Sequence, residues 1–121
     1  MSVPTVSKEL LSGSSDGSPI AVAATATPGT TIHTAVAGTT AGTYDEVWIW
    51  ASNISASAVT LTIEFGGVGT SDKIVTSLPA TSGPVLVVPG IPLQNSKVVK
   101  AFAGSASVVN VAGYVNAMVA G

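Results

Sequence analysis

Few side chains in this 121-residue chain can move a proton, make a bond or hold a metal. His33 is the one histidine, set in a Thr-rich stretch with no acid close in sequence. It reads as a surface or hydrogen-bonded structural residue rather than a general base. Cysteine is absent, which excludes disulfides and thiolate catalysis, and one histidine alone cannot build a zinc site of the usual kind. The acids are Glu9, Asp16, Asp45, Glu46, Glu64 and Asp72. Glycoside hydrolysis needs two carboxylates facing each other across a cleft, and Glu46 and Glu64 come nearest to that on neighbouring strands. Two acids on an open sheet face beside Lys73 or Lys100 read instead as solvated charges. Asp45-Glu46 lacks the alternating carboxylate spacing of a calcium loop. No G-x-S-x-G elbow occurs, and the cluster Gly66-Gly67-Val68-Gly69 precedes neither a helix nor a GK[ST]. Asn53-Ile54-Ser55 matches a glycosylation acceptor, with no secretion signal to support it. No catalytic, cofactor-binding or metal site is expected.

The remaining candidates are aromatic. Trp48 and Trp50 are the only tryptophans, and Tyr114 stands in the last apolar stretch. Three readings compete: the indoles fill the core, they form a subunit interface, or they are a platform on which sugar rings stack. Thr60 and Thr62 are expected beside them as further interface candidates.

The stretch that must position these residues is YDEVWIWASNISASAVTLTIEFGG, from Tyr44 to Gly67. In its second half Val59, Leu61, Ile63 and Phe65 alternate with Thr60, Thr62 and Glu64, the period of a strand with one buried face. In its first half Val47, Ile49 and Ala51 share one face, and Glu46, Trp48 and Trp50 the other. Ser52 to Ser57 is short and polar, which predicts a turn and a central β-hairpin with its aliphatic face on the core and the tryptophans on the face away from it.

Elsewhere the chain reads as short strands between turn signals. Residues 1–19, with a Ser/Gly/Asp cluster at 12–18, suggest an N-terminal arm or linker, with a possible helical turn from Ser7 to Leu11; residues 20–121 form the single domain. Ile20 to Thr27 and Thr30 to Ala37 are parted by the turn dipeptide Pro28-Gly29. Asp72 to Leu78 and Val85 to Val88 follow, and Pro89-Gly90-Ile91-Pro92-Leu93 predicts a non-repetitive connection, since proline donates nothing to a ladder. Ser96 to Ala103 and Ser107 to Ala120 read as a last hairpin turning at Gly104-Ser105-Ala106. There Val109, Val111, Val115, Ala117 and Val119 share one face, and Asn110, Tyr114 and Asn116 the other. About eight strands without a helix argue for an all-β antiparallel sandwich, most naturally an eight-stranded jelly roll, with an immunoglobulin-like sandwich as the alternative.

Composition narrows the partners. Only 8% of residues are charged, against about 25% in ordinary soluble domains. The basic residues are Lys8, Lys73, Lys97 and Lys100, with no arginine, and the net charge is −2. No nucleic-acid partner is expected from such a surface. Mean hydropathy is +0.58, yet no apolar run is long enough to span a bilayer, so no membrane partner is expected. Lys8 and Glu9 interrupt the N-terminus, so no signal peptide is expected, and the cysteine-free composition suits synthesis in a reducing cytoplasm. A surface so poor in charge is better suited to burial in an assembly than to an isolated monomer.

The segments EVWIWASNISASAVTLTIEFGG at 46–67 and VLVVPGIPLQNSKVVKAFAGSASVVNVAGYVN at 85–116 resemble small structural proteins of tailed-bacteriophage virions. Residues 1–43 lie outside the resemblance, and no functional residue carries over from it. It implies a virion component on the capsid surface, of the cement or decoration type: a β-rich protein, often a homotrimer, that binds the major capsid protein lattice. A tail or head-fibre component is the alternative within that style of sequence. From a different class comes a carbohydrate-binding β-sandwich, with Trp48 and Trp50 stacking on sugar faces.

Overall fold

The alternation of the central stretch carries through to burial. In a computed structural model describing residues 3–121, strand β4 (Tyr44–Asn53) has a buried residue at every second position. Val47, Ile49 and Ala51 face inward, and Glu46, Trp48 and Trp50 face out. Eight further strands among the described residues make the fold all-β: β1 (Thr5–Leu10), β2 (Ile20–Ala21), β3 (Thr30–Thr34), β5 (Val59–Phe65), β6 (Lys73–Leu78), β7 (Ser82–Leu93), β8 (Val98–Ala103) and β9 (Val109–Val119). A 3₁₀ turn, Thr70–Asp72, precedes β6.

The strands form two antiparallel sheets, one in the order β1-β9-β4-β7 and the other β3-β8-β5-β6. Strand β2 pairs with β9 beyond the end of β1, so β1 and β2 share one strand position. The pairings are nested: β1 and β2 with β9, β3 with β8, β4 with β7, β5 with β6. The chain is thus a long antiparallel ribbon, tipped at β5–β6 and folded over on itself, which is the order of an eight-stranded jelly roll. Between the sheets lies one aliphatic core, including Val47, Ile49, Leu61, Ile63, Val88 and Val111. Burying each such side chain is worth about 1.5–3 kcal/mol.

This order corrects the two hairpins expected from sequence. β4 does not pair with β5, nor β8 with β9; each pair is split between opposite sheets. A strand's alternation shows which face is buried but not which strand lies beside it, and a short polar linker can arch between sheets as readily as it can turn within one. Asn53 makes the first arch. Its Nδ2 donates to the carbonyls of Ser57 (2.8 Å) and Pro79 (3.1 Å), and its Oδ1 accepts from the Ser55 amide and hydroxyl. A buried amide so occupied is not presented as a glycan acceptor.

Three more expectations are corrected. Pro89 to Leu93 is not a connection but the end of β7, a twelve-residue strand containing three prolines. An edge strand tolerates this because its outer side needs no donors, and register shifts against β4 absorb the misfit. Ser7 to Leu10 is strand rather than helical turn, with Thr5–Leu10 paired to β9. The strands at 20–37 are shorter than expected, and β2 pairs with β9 and β3 with β8.

All six residues of β1 are exposed, and the next residue, Leu11, is the anchor: it enters the core while Gly13 donates to the Ile32 carbonyl. Leu10 and Leu11 therefore make a matched pair at 58% and 2% exposure. Leu11→Ala should cost about 2–5 kcal/mol in urea unfolding, and Leu10→Ala no more than about 0.5 kcal/mol. Equal effects would mean that the N-terminal segment is not seated as described.

Candidate functional site

The outward residues of β4 meet those of β9 and β1 on the outer face of the β1-β9-β4-β7 sheet. Register places Trp48 beside Tyr114, which lies beside Leu10, and places Glu46 beside Asn116, which lies beside Lys8. Trp50 lies beside Ala112 and Leu86. The three rings are near neighbours: centroids are 6.3 Å apart for Trp48 and Trp50, 6.5 Å for Trp48 and Tyr114, and 6.0 Å for Trp50 and Tyr114. Their planes lie within 20–32° of one another. All three are half-buried, and exposed Val6, Leu10 and Leu86 extend the patch.

Polar groups are set among the rings. Glu46 Oε1 accepts from Trp48 Nε1 (2.8 Å) and Asn116 Nδ2 (2.9 Å). The hydrogen bond from Asn116, and then that from Trp48, holds the Glu46 carboxyl below its ordinary pKa of 4.5, against a smaller opposing effect of burial. Lys8 Nζ stands 4.4 Å over the Tyr114 ring, a cation–π contact.

Gly90 supports the far side of the cluster. It sits at a register shift between β7 and β4 with φ of +72°, and a Cβ there would come within 2.6 Å of the Trp48 ring. The glycine is therefore required twice, by backbone conformation and by the indole lying against it. On the other side, Gly113 lets β9 approach the Trp48 carbonyl where any side chain would collide.

Trp48, Trp50 and Tyr114 are thus brought together on an outer face. Thr60 and Thr62 are not with them: they belong to β5 in the opposite sheet, with Thr60 exposed and Thr62 buried. Glu46 and Glu64 are separated in the same way. Glu64 is not a solvated charge but fully buried, accepting from the Thr27 hydroxyl and, at 2.6 Å, from the Gly29 amide. The loop before β3 covers it, which strand alternation alone does not reveal.

His33 has an acid partner that sequence distance concealed. Its Nδ1 accepts from the Ser12 amide at 3.0 Å, so the ring proton sits on Nε2 and is donated to Asp45 Oδ2 at 2.7 Å. Asp45 Oδ2 also accepts from the Val36 amide, and the pair is buried. With both nitrogens committed, the ring ties the N-terminal segment, β3 and β4 together and offers no free site to a substrate. Among the described residues, no three His, Asp or Glu side chains converge as a metal site would need. A groove of about 590 Å³ beside Tyr44 and Pro92 has Gln94, Asn95 and Lys97 in its wall and no carboxylate or imidazole.

No protein-family model, curated protein or solved structure matches this chain.

Two measurements test this geometry. Gly90→Ala should destabilise by about 1–3 kcal/mol and shift tryptophan emission. Gly83→Ala, on the same strand with no atom within 4 Å of the added carbon, should do neither. Because the folded-state pKa of Glu46 is depressed, its contribution to stability is fully present above about pH 4.5 and lost as pH falls through the lower folded value. The Trp48 indole N–H resonance should therefore titrate with a midpoint below 4.5, and a midpoint above it would contradict the described contacts.

Proposed function

We propose that this chain is a structural, non-catalytic component of a virus particle, a capsid cement or decoration protein that binds the major capsid protein lattice as a homo-oligomer, with a trimer the expected form. The observation that carries the reading is the outer face of the β1-β9-β4-β7 sheet, where Trp48, Trp50 and Tyr114 are gathered with exposed Leu10 and Leu86 at their border. Aromatic residues clustered on an outer face are the usual anchors of protein interfaces. The charge-poor composition favours a covered surface over a solvated one. The resemblance of residues 46–67 and 85–116 to small phage virion proteins directs the reading to a capsid. Stabilisation would follow from mass action, since a ligand that binds only the assembled shell opposes its disassembly.

Particles carrying the protein should release their genome at a higher temperature than particles lacking it. Trp50→Ala should reduce occupancy on the particle about tenfold or more, whereas Thr60→Ala, on the opposite sheet, should leave it unchanged. Identical heat release with and without the protein would overturn the cement role, and the reverse order of the two variants would place the interface on the other sheet. Native mass spectrometry at micromolar concentration should show an oligomer; a strict monomer would remove that part of the reading.

A further inference from the structure

The aromatic face has a charge in it. Glu46 Oε1 is saturated by the Trp48 indole N–H and the Asn116 amide, while Oε2 accepts no hydrogen bond from the described residues. The cation nearest in register is Lys8, across Asn116 from Glu46. Its ammonium is committed to the Tyr114 ring, and among the described residues the only ion pair is His33–Asp45. The low pKa of Glu46 keeps it ionised under ordinary conditions. Covering this face with a purely apolar surface would strip water from an unpaired carboxylate, which opposes docking strongly. Whatever covers it must therefore bring a cation or donors to Oε2.

The rings narrow the choice. A quaternary ammonium is held by aromatic faces inclined around it, whereas these three planes lie within 20–32° of one another and form no cage. A lysine ammonium answers the charge but presents a compact, strongly hydrated head with no face to stack. A guanidinium is flat, lies against an indole face, and carries paired N–H groups along one edge that match a carboxylate. Glu46 sits at the nitrogen edge of Trp48, so a planar cation resting on the indole would lie beside the Glu46 carboxylate.

We propose that Glu46, Trp48 and Trp50 form a receptor for an arginine side chain supplied by a different protein, and that this arginine anchors the docking of the β1-β9-β4-β7 face. The partner cannot be a second copy, because this chain's only Lys and Arg residues are its four lysines, Lys8, Lys73, Lys97 and Lys100. The inference rests on the reading of this face as a protein-docking surface and adds the chemistry the partner must carry.

The test follows the two indole N–H resonances of the ¹⁵N-labelled full chain. The probes are N-acetyl-arginine methylamide, N-acetyl-lysine methylamide and cellohexaose. The arginine probe should shift the Trp48 resonance saturably in the millimolar range, and the lysine probe should bind several-fold more weakly. Glu46→Gln should weaken arginine binding about fivefold, the scale of one exposed charge pair, with the remaining spectrum unchanged. Trp50→Ala should weaken it as well, while Glu9→Gln, an exposed carboxylate elsewhere on β1, should not. Absence of a saturable shift, equal binding of arginine and lysine, indifference to Glu46→Gln, or saturation by cellohexaose would each overturn the assignment. If the arginine probe fails while Trp50→Ala still lowers particle occupancy, the arginine receptor falls and the docking face stands; if both fail, both fall.

Discussion

Val47, Ile49 and Ala51 are sealed between the two sheets, and because successive side chains of a strand point to opposite faces, their burial drives Glu46, Trp48 and Trp50 outward. The register of β4 is specified from both sides, since it is hydrogen-bonded to β7 and to β9. A slip of one residue would drive two indoles into a space filled by Val and Ala and bring three aliphatic side chains to the surface. Gly90 and Gly113 reinforce the arrangement: the first leaves room for the Trp48 indole, and the second lets the β9 backbone close on the β4 backbone at Trp48 and Ile49. The aromatic face is therefore a consequence of the core rather than a feature added to it.

Where the chain leaves one sheet for the other, it loses ladder partners, and single polar side chains take over. Ser12 binds His33 through its amide and accepts the Thr34 amide through its hydroxyl, so the crossing from β1 is fastened to β3. Asn53 organises the arch from β4 to β5, and Glu64 holds the loop at Thr27 to Gly29 against β5. Among the described residues no buried side-chain nitrogen or oxygen is left without a partner. In an interior otherwise aliphatic, losing one member of such a group would strand the other, at a cost of about 1–3 kcal/mol or more for a charge.

These fastenings mark the boundary of what the sequence could tell. The all-β class, the strand at Val59 to Phe65 and the outward tryptophans were legible, because each rests on a side-chain period of two within one segment. The pairing of strands was not, since it depends on contacts such as Tyr44 to Met118 that no local pattern encodes. Glu64 read as exposed because its strand alternates correctly, and only the loop laid over that face buries it. His33 read as isolated because Asp45 is twelve residues away, although the two are adjacent once β3 and β4 lie in facing sheets. Thr60 and Thr62 were grouped with the tryptophans by an assumed hairpin, and the error in pairing carried directly into the site. The prolines of β7 misled in the opposite direction: proline excludes a central strand but not an edge.

That edge has a further consequence. A chain rich in Val, Thr and Ala with almost no charge to repel its copies is the composition from which cross-β fibrils grow, one open strand templating the next. Pro84, Pro89 and Pro92 deprive the outer rim of β7 of a continuous row of donors, and the register shifts keep it from lying flat. Growth by strand addition is blocked along that rim. Of the four edges in the two sheets, β7 is thus the one whose own sequence refuses a further strand, while β1, β3 and β6 keep theirs free of proline.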